Sequence, residues 1–231
     1  ALEYVLKNTR ISCDERDIFP AINMIDRPLA KTVIKKWKSE VFTEVIPDIE
    51  ARRKQLEEAG VVTIWPDYNH SVPVWDRLFS LGFAGILEES ERIRASKKRS
   101  PEESAFFEGI KITYEAVLAF IDRLQAMANT VKMKTALTSI RNGAPQSFYE
   151  ALLLSYIYFM ISEHIDHLQV RSLSGFDTSY YRFYKNDLQN GVNEEEIKVD
   201  LAYYFLQFTT IGNYFNQPVF LEERMPTDQP L

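Results

Sequence analysis

Residues 144–166 read APQSFYEALLLSYIYFMISEHID, and this stretch sets the architecture. Apolar side chains fill nearly every position of its middle: Leu152, Leu153, Leu154, Tyr156, Ile157, Phe159 and Met160. A helix with no polar face belongs inside the packing, not on its surface. Pro145 is suited to the first turn, and the pattern predicts a helix to about Asp166. The strongly apolar run, residues 151–161, falls short of the roughly 20 residues that a bilayer span requires. The stretch therefore predicts a central buried helix, with other helices arranged around it.

Working outward, the composition agrees. The chain has 231 residues, 45% of them hydrophobic, with 15 Phe, 12 Tyr and 3 Trp but only 8 Gly. That suits long helices around a sizeable core better than a turn-rich β protein, in one large domain or a piece of a larger one. A net charge of −6 argues against a dedicated nucleic-acid binder, which carries a basic face. The single cysteine, Cys13, cannot form an internal disulfide and reads as an inert thiol in a reducing, cytoplasmic compartment. No signal-peptide pattern opens the chain, and no membrane partner is expected. Without an initiator Met, the true start is expected upstream. We find no internal repeat and no low-complexity tract.

Other elements follow from periodicity and caps. Pro28 opens a helical pattern to about Ala59, with Gly60 just past its end, and Pro47 is placed to kink or end it. Val33, Trp37, Val41, Val45 and Ile49 recur every four residues as one apolar stripe. Residues 61–64 are β-like, 65–73 form a loop, and 75–81 a short helix. Gly82 and Gly85 flank the next turn, before a helix over 86–95. Lys97-Lys98-Arg99 reads as a solvated link. Ser100-Pro101-Glu102-Glu103 has the form of a capping box, opening a long helix to about Met127. A weaker helix spans 131–141, ended by Asn142-Gly143. A loop or strand covers 168–174. A helix over 176–188 is closed by Asn190-Gly191, and Asn193 with three glutamates starts the last helix, to about Ile211. Residues 213–221 are strand-like, and 222–231 form a frayed tail. The fold class read here is mainly α with a few short strands.

Three segments carry a resemblance. The first is Trp65-Pro66-Asp67-Tyr68-Asn69-His70-Ser71-Val72-Pro73, with Ser80-Leu81-Gly82 after it. The second is Ala144-Pro145-Gln146-Ser147-Phe148-Tyr149-Glu150-Ala151-Leu152. The third is Phe176-Asp177-Thr178-Ser179-Tyr180-Tyr181-Arg182-Phe183-Tyr184. In this order they resemble the glycyl radical enzymes, the pyruvate formate-lyase-like family. That family has Gly-His-x-x-Pro and Leu-Gly at the first place, Pro-x-(Ser/Thr)-Phe-x-Glu-Ala-Leu at the second and Phe-Asp-Gln-Tyr-x-Tyr-x-Phe-Tyr at the third. This chain departs from it with Asn69 for Gly, Ser174-Gly175 for Gly-Arg, and Thr178 for Gln.

The resemblance implies the N-terminal helical part of a ten-stranded α/β barrel, spanning residues 1–231. The barrel's catalytic cysteine and the radical-bearing glycine would both lie beyond residue 231. Alone, the chain would then be inactive. The parent would be a radical lyase, dehydratase or decarboxylase acting on a small organic substrate. Its glycyl radical would be installed by a radical S-adenosylmethionine activating enzyme, and the resemblance implies a homodimer. No cofactor or metal is expected on this chain itself.

His70 is the candidate catalytic residue: an imidazole on an aromatic-flanked loop can hydrogen-bond substrate and move a proton near neutral pH. Its alternative is a structural histidine tied to backbone carbonyls. Asp67 either orients His70 or serves the turn. Trp65 either stacks on substrate or packs. Ser172 and Ser174 match the family's pocket-lining region, or simply bond within the loop. Asp177 reads as a helix cap. His164 and His167, at i and i+3, could hold zinc, though no third ligand is evident. Two other readings stand beside the enzyme: a non-catalytic helical interaction module, and a helical metalloenzyme using that histidine pair. Uncovered apolar surface would favour the barrel enzyme over the free-standing module.

Overall fold

The computed structural model describes residues 1–20, 27–61, 72–164, 173 and 175–215, with the backbone alone at 27, 28, 30, 31, 34, 35, 163, 164 and 209–215. Among these residues there are nine helices and no strand. They are α1 (Leu2–Asn8), α2 (Arg27–Val45), α3 (Pro47–Glu58), α4 (Trp75–Ala95), α5 (Pro101–Met127), α6 (Val131–Asn142), α7 (Phe148–His164), α8 (Phe176–Gln189) and α9 (Glu194–Phe215). Of the β-like stretch 61–64 and the loop or strand at 168–174, Val61 and Leu173 are described and are in no strand, and the rest lie outside the described residues. At 213–215 the expectation is corrected, because α9 continues to Phe215.

The apolar helix is central, as its sequence requires. In α7, Ala151, Leu152, Leu153, Leu154, Tyr156 and Ile157 are fully buried. Helices α6, α8 and α9 pack on α7, α4 and α5 pack on each other and on α6, and α1 lies on α5. The start of α7 differs from the expectation. Pro145 lies three residues before the helix, and Ser147 accepts a hydrogen bond from the Glu150 N–H at 3.2 Å. A second cap comes from a distant residue: the carboxylate of Asp187, at the end of α8, accepts the Phe148 N–H at 2.9 Å. An orphan donor of a buried helix is thereby satisfied.

Local signals hold where chemistry is local. Ser100 and Glu103 form the reciprocal capping box at the start of α5. Asn193 accepts from the Glu195 N–H at 2.9 Å. Pro47 separates α2 from α3. Asp177 is not the cap of α8. Gly175 takes that place in a left-handed conformation, and Asp177 is an acid in the first turn.

Residues 9–20 follow α1 as an irregular strap over the bundle. Its carbonyls are met by side chains: Arg123 donates to Thr9 (and to Leu6 in α1), Asn129 to Asp14 and Asp17, Tyr149 to Ile18, and Tyr156 to Pro20. Phe19 is buried against the rings of Tyr149, Tyr156 and Tyr204.

The α2–α3 stripe is only partly covered: Val33 packs against the core and Val41 is half-buried, while Trp37, Val45 and Ile49 are 47%, 70% and 65% exposed. On α3 one carboxylate is the exception. Glu50 is 2% exposed and takes a bidentate pair from Arg53 at 2.7 and 2.8 Å. That hydrogen bonding holds its pKa down, at about 2 instead of 4.5. A depressed carboxylate stabilises the fold above its unfolded pKa, and the contribution fades as pH falls through the folded value. Acidification from about 4.5 to about 2 is therefore expected to lower the urea midpoint of the wild-type chain by an increment that Glu50→Gln lacks.

Helix α4 bends at Gly82, where φ is +65° and ψ 179°, a region almost reserved for glycine. Gly85, expected in a turn, is helical. A Cβ at Gly82 would collide with the Gly143 carbonyl and lie 3.1 Å from the Ala144 nitrogen. Gly143 itself has an extended φ of −178° and open space around a Cβ. Gly82→Ala is expected to cost about 3 kcal/mol or more, and Gly143→Ala less than about 1 kcal/mol, by urea denaturation.

Candidate functional site

His70, Trp65 and Asp67 lie in residues 62–71, and Ser172 and Ser174 in 165–172 and 174; all five are outside the described residues. So are His167 and the side chain of His164. What the structure describes is the scaffold from which both segments depart and to which both return.

The chain returns from the first segment at Trp75, the first residue of α4, and from the second at Phe176, the first residue of α8. Both rings belong to one closed circuit of aromatic contacts. Trp75 stacks on Phe79 at 5.6 Å, Phe79 meets Tyr180 edge-on at 4.8 Å, and Tyr180 stacks on Phe176 at 4.1 Å. The other arc runs from Phe176 to Tyr204 at 6.2 Å, Tyr204 to Phe208 at 5.0 Å, Phe208 to Phe159 at 5.4 Å, and Phe159 back to Trp75 at 5.3 Å. Tilted and edge-on pairs at these spacings are the favoured aromatic geometries, each contributing about 0.5–1.5 kcal/mol beyond area burial. Four helices, α4, α7, α8 and α9, thus meet in one ring of side chains. The return points of the two candidate segments are separated by only two intervening rings.

Inside the circuit, the Tyr204 hydroxyl and Ser155 Oγ are 3.1 Å apart and buried, while Ser155 donates to the Leu152 carbonyl. The Tyr180 hydroxyl lies beside them but meets no partner with hydrogen-bond geometry. Burial pushes Tyr180 up to about 12 and Tyr204 well above 10. Both phenols are neutral at physiological pH, so they shape the platform and do not act as bases.

The buried carboxylates Asp187 and Asp200 sit elsewhere. Lys132 on α6 donates to Glu196 at 2.7 Å and to both oxygens of Asp200 at 2.8 and 2.9 Å, and lies 4.8 Å from the Tyr149 ring centre. Burial raises the pKa of both Asp200 and Asp187. This cluster surrounds the N-terminal end of α7, eleven residues or roughly 16 Å along the axis from Phe159. Lys132 joins α6 to Glu196 and Asp200 of α9, and Asp187 joins α8 to α7 through the Phe148 N–H. Cys13 is half-buried, its thiol 3.7 Å from the Met133 sulfur and pushed up by burial. Among the described residues there is no group of three or more His, Cys, Asp or Glu placed to hold a metal. Nor is any helix among them long and apolar enough to cross a membrane.

Sequence reasoning did not single out the aromatic circuit. Its members are spread over residues 75–208, and only a tertiary fold brings them together. The available signal was the density of Phe and Tyr in the third motif.

A family model described as Pyruvate formate lyase-like matches residues 9–216. Among solved structures, the chain is similar to the glycerol-bound form of the B12-independent glycerol dehydratase of Clostridium butyricum. Identity is 14% and the TM-score 0.59, over 89% of this chain and 34% of that one. It is also similar to a glycyl radical enzyme of Archaeoglobus fulgidus, with 22% identity and a TM-score of 0.57 over 87% and 34% of the two chains. A Roseburia inulinivorans structure concerned with 1,2-propanediol dehydration gives 17% identity and 0.50 over 60% and 19%. At these identities the likeness concerns the fold. The chain spans about a third or less of the length of these structures. No functionally curated protein matches the sequence.

The circuit makes opposite demands on its two phenols. Tyr204→Phe removes the bond to Ser155 and is expected to cost about 1 kcal/mol. Tyr180→Phe removes a buried hydroxyl without a partner and is expected to be neutral or stabilising. Paired urea titrations check both.

Proposed function

The chain belongs to the pyruvate formate lyase-like family, and from that premise we propose that it forms the N-terminal helical part of a glycyl radical enzyme. The observation that carries this reading is the family match over residues 9–216. The aromatic circuit supports it by returning both candidate segments to one end of the helical bundle. The substrate is a small organic molecule, and vicinal diols of the kind named for two similar structures are the first to test.

A glycyl radical, when present, supplies hydrogen abstraction through a barrel cysteine. This chain's own thiol does not fit that role, because Cys13 lies on the strap against Met133. The roles assigned to this chain are binding, orientation and proton transfer. The His70 imidazole hydrogen-bonds the substrate and gives or takes a proton at its ring nitrogen. Asp67 orients that ring. Trp65, Ser172 and Ser174 contact the substrate, and the helices help to keep water out. An activating radical S-adenosylmethionine enzyme, a homodimeric state and a cytoplasmic location belong to the same reading.

Exposed apolar faces bear on the choice between enzyme part and free-standing module. Besides Trp37, Val45 and Ile49 on α2 and α3, Val199 and Tyr203 on α9 are 50% and 38% exposed. On this reading the remaining polypeptide covers these faces. Two outcomes are expected. His70→Ala in the complete, activated enzyme should lower kcat on glycerol or 1,2-propanediol by about 10²–10⁴-fold with the fold intact; unchanged kcat would remove His70 from the mechanism. The isolated chain should bind an apolar-surface dye, and Trp37→Ser with Val45→Ser should reduce the signal; no dye binding would favour the module.

A further inference from the structure

The chain contains two Asn-Gly pairs, Asn142-Gly143 and Asn190-Gly191, and the fold sets them apart. We propose that Asn190 is a site of spontaneous backbone-assisted deamidation, and that Asn142 is protected from the same reaction. The chemistry needs three things: a following residue without a Cβ, a side-chain amide free to swing, and a backbone loose enough to bring the next nitrogen onto it.

Asn190 meets all three. It caps the C-terminus of α8 in an exposed turn, and among the described residues its side-chain amide makes no hydrogen bond. Gly191 follows at φ +81°, also exposed. The Gly191 N–H is held only by a turn bond to the Leu188 carbonyl at 3.1 Å. Solvent-exposed turn bonds of this kind open at low free-energy cost. Asn142 has the same neighbour but a different setting. Its amide donates to the Thr138 carbonyl at 2.9 Å, and it is the last residue of α6. The Gly143–Ala144 peptide is wedged against Gly82, where no Cβ would fit. Turning Asn142 toward the reactive geometry would drive Gly143 and Ala144 into the kink of α4.

The reaction balances with water alone. The Gly191 backbone nitrogen loses its proton and attacks Asn190 Cγ. A C–N bond forms, the Cγ–Nδ2 bond breaks, and ammonia leaves carrying the proton. Water then opens the cyclic imide at either carbonyl carbon, leaving aspartate or isoaspartate. No electron is transferred. The product matters because of what this turn holds. The Asn190 and Val192 N–H groups both donate to the Asp187 carbonyl, at 3.1 and 3.0 Å, and the Asp187 side chain caps α7. An isoaspartate inserts a methylene into that main chain and loosens the cap.

The test incubates the purified full chain at mildly alkaline pH, folded and in urea, and follows both sites by peptide mass spectrometry with isoaspartate detection. In the folded chain Asn190 should convert at least about tenfold faster than Asn142, and in urea the two rates should converge. Aged chain should also show a lowered denaturation midpoint, a drop that the Asn190→Gln variant escapes because its longer side chain cannot close the five-membered ring. Equal conversion of the two sites in the folded chain would overturn the proposal. So would an intact Asn190 under conditions where the urea-treated chain reacts at both.

Discussion

The burial of α7 over residues 151–157 is the constraint on which the structure depends. A helix with no polar face must be enclosed on every side, so neighbouring elements are placed by the need to cover it. Helices α6, α8 and α9 cover it directly, and the strap of residues 9–20 lays Phe19 against its tyrosines. Burial creates a second demand at the helix start, where orphan N–H groups cannot reach water. Asp187 meets that demand from another helix. The position of α8 is therefore tied to α7 by a hydrogen bond as well as by packing.

Polar groups in this fold mainly solve problems that the apolar core creates. Several carbonyls of the strap are met by side chains instead, from Arg123, Asn129, Tyr149 and Tyr156. Lys132 offsets the cost of burying Asp200 and reaches Glu196, which brings the start of α9 to α6. These ionic and capping contacts gather at one end of α7. The aromatic circuit gathers toward the other, and it includes Trp75 and Phe176, where the chain returns from the two candidate segments.

How much was legible in the sequence depended on range. The α5 capping box and the Asn193 cap were readable because their partners lie within three residues. The centrality of α7 was readable because all-round apolarity has one solution. The Pro145 start was misplaced because Ser147 and the distant Asp187 set the boundary. The α2–α3 stripe was visible, yet periodicity cannot say whether a face is covered. Gly82 was marked as a turn, but its pairing with Gly143 needs contact across 61 positions. For His70, Trp65, Asp67, Ser172 and Ser174 the motifs supplied the candidates, and the structure describes only the scaffold that carries them.

The central claim is that the two loops returning to one aromatic circuit serve a single substrate site. A double-mutant cycle tests it directly: glycerol affinity of the complete enzyme, measured for wild type, His70→Ala, Ser174→Ala and the double variant. Loops sharing one ligand should give an interaction free energy of about 0.5 kcal/mol or more. Strictly additive losses, or no loss from Ser174→Ala, would contradict the claim.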